Sequence, residues 1–132
     1  MKAAMTAAIA AFALGLTADG VQAHHSIAGE FDQTVSFELR GVLTRLDWTN
    51  PHLWYYIDVT SENGSVESWQ CTTGINPNRL LRAGWKKEDL PIGSKVVFAN
   101  ANPARHDEHT CYTGGLTLDD GTAIFSGRRG EQ

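Results

Sequence analysis

The sequence predicts a mainly β protein, a small barrel of five to six strands with one short helix between the third and fourth. Three observations predict it. Several short runs alternate apolar and polar residues with the period of two that marks a half-buried strand. Glycine, asparagine and proline punctuate those runs at turn spacing. A strong helix start appears only once, at Asn76-Pro77.

Residues 1–23 read as an export signal. Lys2 is a short positive start, residues 3–16 are apolar apart from Thr6 and Gly15, and Val21-Gln22-Ala23 fits the small-x-small cleavage pattern. The apolar run falls short of the ~20 residues that span a bilayer. Cleavage after Ala23 leaves residues 24–132 as one domain in the periplasm, with no later segment able to span a membrane. That length supports one modest core. The formal net charge is −4, and removing Lys2 and Asp19 does not change it. Mild acidity argues against a nucleic-acid partner. Cys71 and Cys111 form an even count, which in an oxidising compartment favours a disulfide over thiolate metal ligation.

In the mature chain, Ile27 and Phe31 stand four apart and fit one helical turn, against which Gly29 counts. Val35, Phe37 and Leu39 alternate with polar residues. Gly41 interrupts the run, and residues 42–46 continue it in a shifted phase, which predicts a bulge or bend at the glycine. Asn50-Pro51 breaks the strand. Residues 53–59 are the strongest strand, with Leu53, Tyr55, Ile57 and Val59 on one face and Trp54, Tyr56 and Asp58 on the other. Glu62-Asn63-Gly64 is a tight turn, so residues 53–73 form a hairpin.

Asn76 caps a helix whose first residue is Pro77. Leu80, Leu81 and Trp85 give it an apolar face, and Gly84 stops it. A charged connector and the turn Pro91-Ile92-Gly93 lead into a fourth strand over residues 95–101. Residues 102–109 are loop-like. A fifth strand covers residues 110–118, weakened by Gly114-Gly115. Asp119-Asp120-Gly121 turns into a last short strand, and residues 126–132 are expected to fray. Three strands, a short helix and two further strands, with a bent first strand, match an OB-type barrel.

The stretches Ala23-His24-His25-Ser26, Glu30-Phe31-Asp32, Gly41-Val42, Trp48-Thr49-Asn50-Pro51-His52, Gly84-Trp85 and Leu118-Asp119-Asp120-Gly121 resemble, in order, an exported bacterial family of unknown function. That family is recognised by an His-His-Ser mature start and a Trp-Thr-Asn-Pro-His motif. The resemblance covers nearly the whole mature chain. It implies a periplasmic single-domain β protein and supplies no activity. Cys71 and Cys111 depart from its commoner pattern, so a disulfide would mark a subgroup.

Three constellations can carry chemistry. Cleavage after Ala23 gives His24 a free α-amine, which can chelate a metal together with its imidazole. His25 adds a second ring, and His52, His106 or His109 a third. Nitrogen ligation in a plane suits Cu(II), in the manner of a histidine brace. The alternative is a pair of solvated, idle histidines. His52, behind Asn50-Pro51, reads either as a ligand on the barrel rim or as a turn residue bonded to a backbone carbonyl. The stretch His106-Asp107-Glu108-His109, with Cys111 close by, reads either as a zinc site, a weak one without a Cys111 thiolate, or as a solvated loop.

Enzyme signatures are missing. The chain has no Gly-x-Ser-x-Gly elbow and no phosphate-cradling loop. Glu30, Asp32, Asp47 and Asp58 show no pairing, and Ser26 beside His25 sits on a terminus too loose to preorganise a nucleophile. Two readings of function remain. One is a periplasmic metal-binding protein holding copper through His24, with His25, His52 and His109 as further ligands. The other is a metal-free module that binds a small apolar ligand or an envelope protein through Trp48, Asn50, Trp54 and Tyr56.

Overall fold

The computed structural model describes residues 26–130. The expected signal peptide, His24 and His25 lie outside the described residues. Ser26 opens the fold by capping a single helical turn, α1 (Ile27–Glu30), its hydroxyl accepting from the Gly29 N–H at 3.1 Å. Phe31 is buried behind it and bridges to Ala104.

Seven strands follow: β1 (Phe37–Trp48), β2 (Leu53–Thr60), β3 (Val66–Thr72), β4 (Lys95–Pro103), β5 (Thr110–Thr113), β6 (Leu116–Leu118) and β7 (Ala123–Ile124). They hydrogen-bond in the order β1-β2-β3-β5-β4-β6-β7, and β1 also pairs with β4. That extra pairing closes β1, β2, β3, β5 and β4 into a five-stranded barrel. Helix α2 (Pro77–Arg82) and a 3₁₀ turn (Lys87–Asp89) lie between β3 and β4. This is the OB-type arrangement expected from the order of elements.

Closure rests on one long strand. The first part of β1 pairs with β4 and the last part with β2, the two overlapping at Val42. Gly41 sits at this changeover. A Cβ there would lie 2.7 Å from the Asp58 carbonyl oxygen, so only glycine lets the two backbones approach. The expected bulge is therefore not at the glycine. Register shifts flank it instead, between Phe37 and Leu39 and between Leu43 and Arg45. Leu39 and Leu43 keep one phase and point inward, and the second shift then brings Leu46 inward.

β2 alternates as its sequence predicts. Leu53, Tyr55 and Ile57 are buried, while Trp54, Tyr56 and Asp58 are half-buried on the outer face. Tyr55 packs on Phe98 of β4, ring centres 5.6 Å apart, and burial pushes its hydroxyl pKa up. The Asn63-Gly64 turn joins β2 to β3, with Gly64 at φ 85°. β3 and β5 are the parallel pair of the barrel. Cys71 and Cys111 are register partners there, both fully buried, and they are disulfide-bonded with a sequence separation of 40. Closing a loop of that size contributes about 3–4 kcal/mol in the chain-entropy view.

α2 begins as its sequence predicts, with the Asn76 side chain accepting from the Asn78 N–H at 2.8 Å and Pro77 in the first turn. Its apolar face differs from the expected one. Leu80 is buried, but Leu81 is 52% exposed, and Trp85 lies beyond the helix end. Gly84, at φ 90°, turns the chain so that Trp85 enters the core from the connector. The expected fifth strand divides into β5 and β6 at Gly114-Gly115, where the Thr113 hydroxyl donates to the Gly115 carbonyl at 2.7 Å. Among the described residues no helix is long and apolar enough to cross a membrane.

Gly41→Ala is expected to destabilise the protein by about 1–3 kcal/mol, the cost of forcing a methyl into a filled space. Gly114→Ala, whose Cβ would meet nothing within 4 Å, is expected to change stability little. Urea unfolding midpoints measure both. An unchanged midpoint for Gly41→Ala would remove the close-approach argument.

Candidate functional site

β6 and β7 extend the sheet beyond the closed barrel. β6 pairs with β4 through Val96 and Val97, and β7 pairs with β6. An open groove of about 820 Å³ is lined by residues of α2, β4, β6 and β7 and by the segment that follows β7. Its apolar lining includes Ile75, Ala99 and the buried side chains of Leu80, Val97, Leu116 and Phe125. Val97 and Ala99 lie on the outer side of β4, because Val96 and Phe98 point into the core.

Phe125 forms one wall. It has a left-handed backbone, φ 57°, and is nearly fully buried. Its ring stands edge-on to Trp48 at 5.2 Å and to Trp85 at 5.7 Å. Packing on both sides holds the strained backbone in place. The residues after Phe125 were expected to fray. Residues 126–130 instead strap back across the connector. The Trp85 indole N–H donates to the Gly127 carbonyl at 3.1 Å, and the Arg129 N–H donates to the Ala83 carbonyl at 3.0 Å. The Arg129 guanidinium also pairs at 2.8 Å with Asp89, whose side chain is 13% exposed. No local pattern signals these contacts, which join the chain end to residues some 40 positions earlier.

Two arginines line the groove, Arg79 of α2 and Arg128 of the strap. Among the described residues no carboxylate lines it. Sequence reasoning missed both arginines and Phe125. The available signal was the Arg128-Arg129 pair, of which Arg129 has the nearby acid.

A second, smaller cleft of about 410 Å³ lies on the barrel face, lined by Arg45, Tyr56, Trp69, Gln70, His109 and Thr110 among others. The residues follow from register: Arg45 faces Tyr56, Tyr56 faces Gln70, and Gln70 faces Thr110. The Arg45 guanidinium lies 3.5 Å over the Tyr56 ring. Trp69 packs between Phe37 at 5.6 Å and His109 at 4.9 Å. Its buried indole N–H has no hydrogen-bond partner among the described residues.

Among the described residues, those singled out in the sequence are not gathered into one site. Trp48 backs Phe125 and so supports the groove from behind. Trp54 and Tyr56 share the outer face of β2, and only Tyr56 lines the smaller cleft. Asn50 and His52 are exposed in the loop between β1 and β2, where the Asn50–Pro51 peptide is cis. His106 is exposed. His109 has a left-handed backbone, φ 58°, and its Nε2 lies 3.4 Å from Glu67. Cys71 and Cys111, being disulfide-bonded, are not thiolate ligands. Among the described residues no group of three or more His, Cys, Asp or Glu side chains is placed to hold a metal.

Near the chain start, the Asp32 carboxylate accepts from the Thr34 hydroxyl at 2.6 Å and from the Thr34 N–H at 3.0 Å. These bonds, with Arg105 beside it, hold the Asp32 carboxyl below its ordinary pKa. Ser26 is engaged as a helix cap.

A family model described as a family of unknown function, DUF6152, matches residues 13–113. No curated protein matches the sequence. Among solved structures, the chain is similar to the mitochondrial single-stranded DNA binding protein Rim1 of S. cerevisiae, at 15% identity and a TM-score of 0.45, over 64% of this chain and 92% of that one. It is also similar to the N-terminal domain of the PriB protein of Thermoanaerobacter tencongensis, at 15% identity and a TM-score of 0.44, over 64% of this chain and 96% of that one.

Trp85→Phe keeps the aromatic packing and removes the bond to the Gly127 carbonyl. It is expected to cost about 0.5–1.5 kcal/mol and to speed hydrogen exchange at the Arg129 amide. Unaltered exchange there would mean that the strap does not depend on the indole.

Proposed function

The chain belongs to DUF6152, a family of unknown function, and on that premise we propose that it is a periplasmic binding module that takes a small apolar ligand without a metal. The groove beside β4 is the site. The observation that carries this reading is the groove itself. Its volume of about 820 Å³ falls in the range of roughly 300–1,000 Å³ typical of small-molecule sites. Its surface combines aliphatic and aromatic side chains with a few polar groups, the usual composition of such sites. The aromatic face of β2 fits the role less well, because the Tyr56 ring is covered by Arg45.

A neutral naphthylamine dye tests the reading. The protein is expected to bind it one-to-one, and Ala99→Trp, which fills the groove from the exposed side of β4, is expected to weaken binding at least about tenfold with little change in the unfolding midpoint. Dye affinity untouched by Ala99→Trp would place the site elsewhere.

A second reading is copper held by His24 with His25 and an imidazole of His52 or His109. One observation favours it. The segment after His25 docks on the segment leading to His106 and His109. The Arg105 N–H donates to the Glu30 carbonyl at 2.9 Å, and the Asp32 N–H to the Pro103 carbonyl at 2.8 Å. Exported, untagged protein is then expected to have an intact mass beginning at His24 and to bind Cu(II) one-to-one through nitrogen. Acetylating the α-amine is expected to abolish that binding. Weak, non-stoichiometric copper on protein that begins at His24 would end this reading.

A further inference from the structure

We propose that the groove takes a free single-chain amphiphile with an anionic headgroup, its chain along the apolar surface and its head held by Arg79 and Arg128. This rests on the reading of the groove as the binding site and adds the chemistry of its ligand.

The argument is one of charge. The chain carries 15 acidic and 11 basic residues, yet the groove is lined by two arginines and by no carboxylate. Neither arginine has an ion pair among the described residues. Arg129, the next residue of the strap, pairs with Asp89 instead. Among the described residues, the groove lining thus presents two cations and no acid on a protein with an acidic excess.

Their placement supports a shared headgroup. Arg79 and Ala83 are four apart, on one side of α2 and its end. The Ala83 carbonyl accepts the Arg129 N–H, which brings the strap, and Arg128 within it, against the C-terminal end of α2. Arg79 and Arg128 both line the groove, and Val97 and Ala99 of β4 add apolar lining to it. A guanidinium offers paired N–H donors that match a carboxylate or phosphate. An alkyl chain with such a head matches both parts of the groove, whereas a neutral apolar molecule leaves the arginines unused.

The test uses the full mature protein with laurate and lauryl alcohol below their aggregation limits, measured by displacement of the naphthylamine dye. Laurate is expected to bind at least about tenfold more tightly than the alcohol, and the difference is expected to shrink as sodium chloride screens the charges. Replacing Arg79→Gln and Arg128→Gln together is expected to bring the laurate-to-alcohol affinity ratio down to about one with the unfolding midpoint unchanged. Equal affinity for the two probes in the unaltered protein overturns the headgroup assignment and leaves the groove reading standing. Failure of both probes and of the dye overturns the groove reading as well. Binding to phosphatidylglycerol vesicles without binding to free laurate overturns the free amphiphile in favour of a membrane surface.

Discussion

The barrel depends on a contact between two backbones at Gly41. β1 must serve as neighbour to β4 over its first half and to β2 over its second, and the changeover requires the Asp58 carbonyl to come where any side chain would stand. With that approach made, the inner faces of five strands surround Leu43, Tyr55, Ile57 and Phe98, and the core fills. On the other side of the barrel the parallel β3–β5 pair, which has no hairpin to hold its register, is fastened by the Cys71–Cys111 bond. One device relies on the absence of a side chain and the other on a covalent link. The first sits at the changeover that lets β1 reach β4, and the second fastens β3 to β5; both are joins in the barrel between strands not adjacent in sequence.

Much of this was legible in the sequence, and the parts that were not share a cause. The alternation of residues 53–59, the Asn63-Gly64 turn and the Asn76-Pro77 helix start are local signals, and each became the expected element. Gly41 was recognised as special, but the reason for it lay in Asp58, far away in sequence. Trp85 was read as the last residue of a helix face because its spacing from Leu81 fits one, although Gly84 turns the chain before it. The strap after Phe125 has no periodicity at all. It is held by an indole, a carbonyl and an ion pair whose partners no window of sequence brings together.

The same division applies to the site. Aromatic residues draw attention in a sequence, and here Trp48 and Trp85 are structural, flanking Phe125 from behind the groove. The groove is lined by Val97, Ala99, Leu116 and two arginines among others, residues with no conspicuous pattern. The smaller cleft on the barrel face holds more unusual chemistry, a strained His109 against Trp69 with its unbonded indole N–H, but much of it is already engaged internally by Glu67 and Arg45.

The strap also bears on how the protein should be handled. Arg129 is anchored through both its amide and its guanidinium, next to the residues that wall the groove. A purification tag joined just beyond it would pull on that wall and alter the surface under study. A tag at the start of a chain cleaved after Ala23 would block the amine on which the copper reading depends. The exposed Asn63-Gly64 turn, remote in sequence from both, is the better place for an affinity handle, since its hydrogen bonds are confined to residues 61–65.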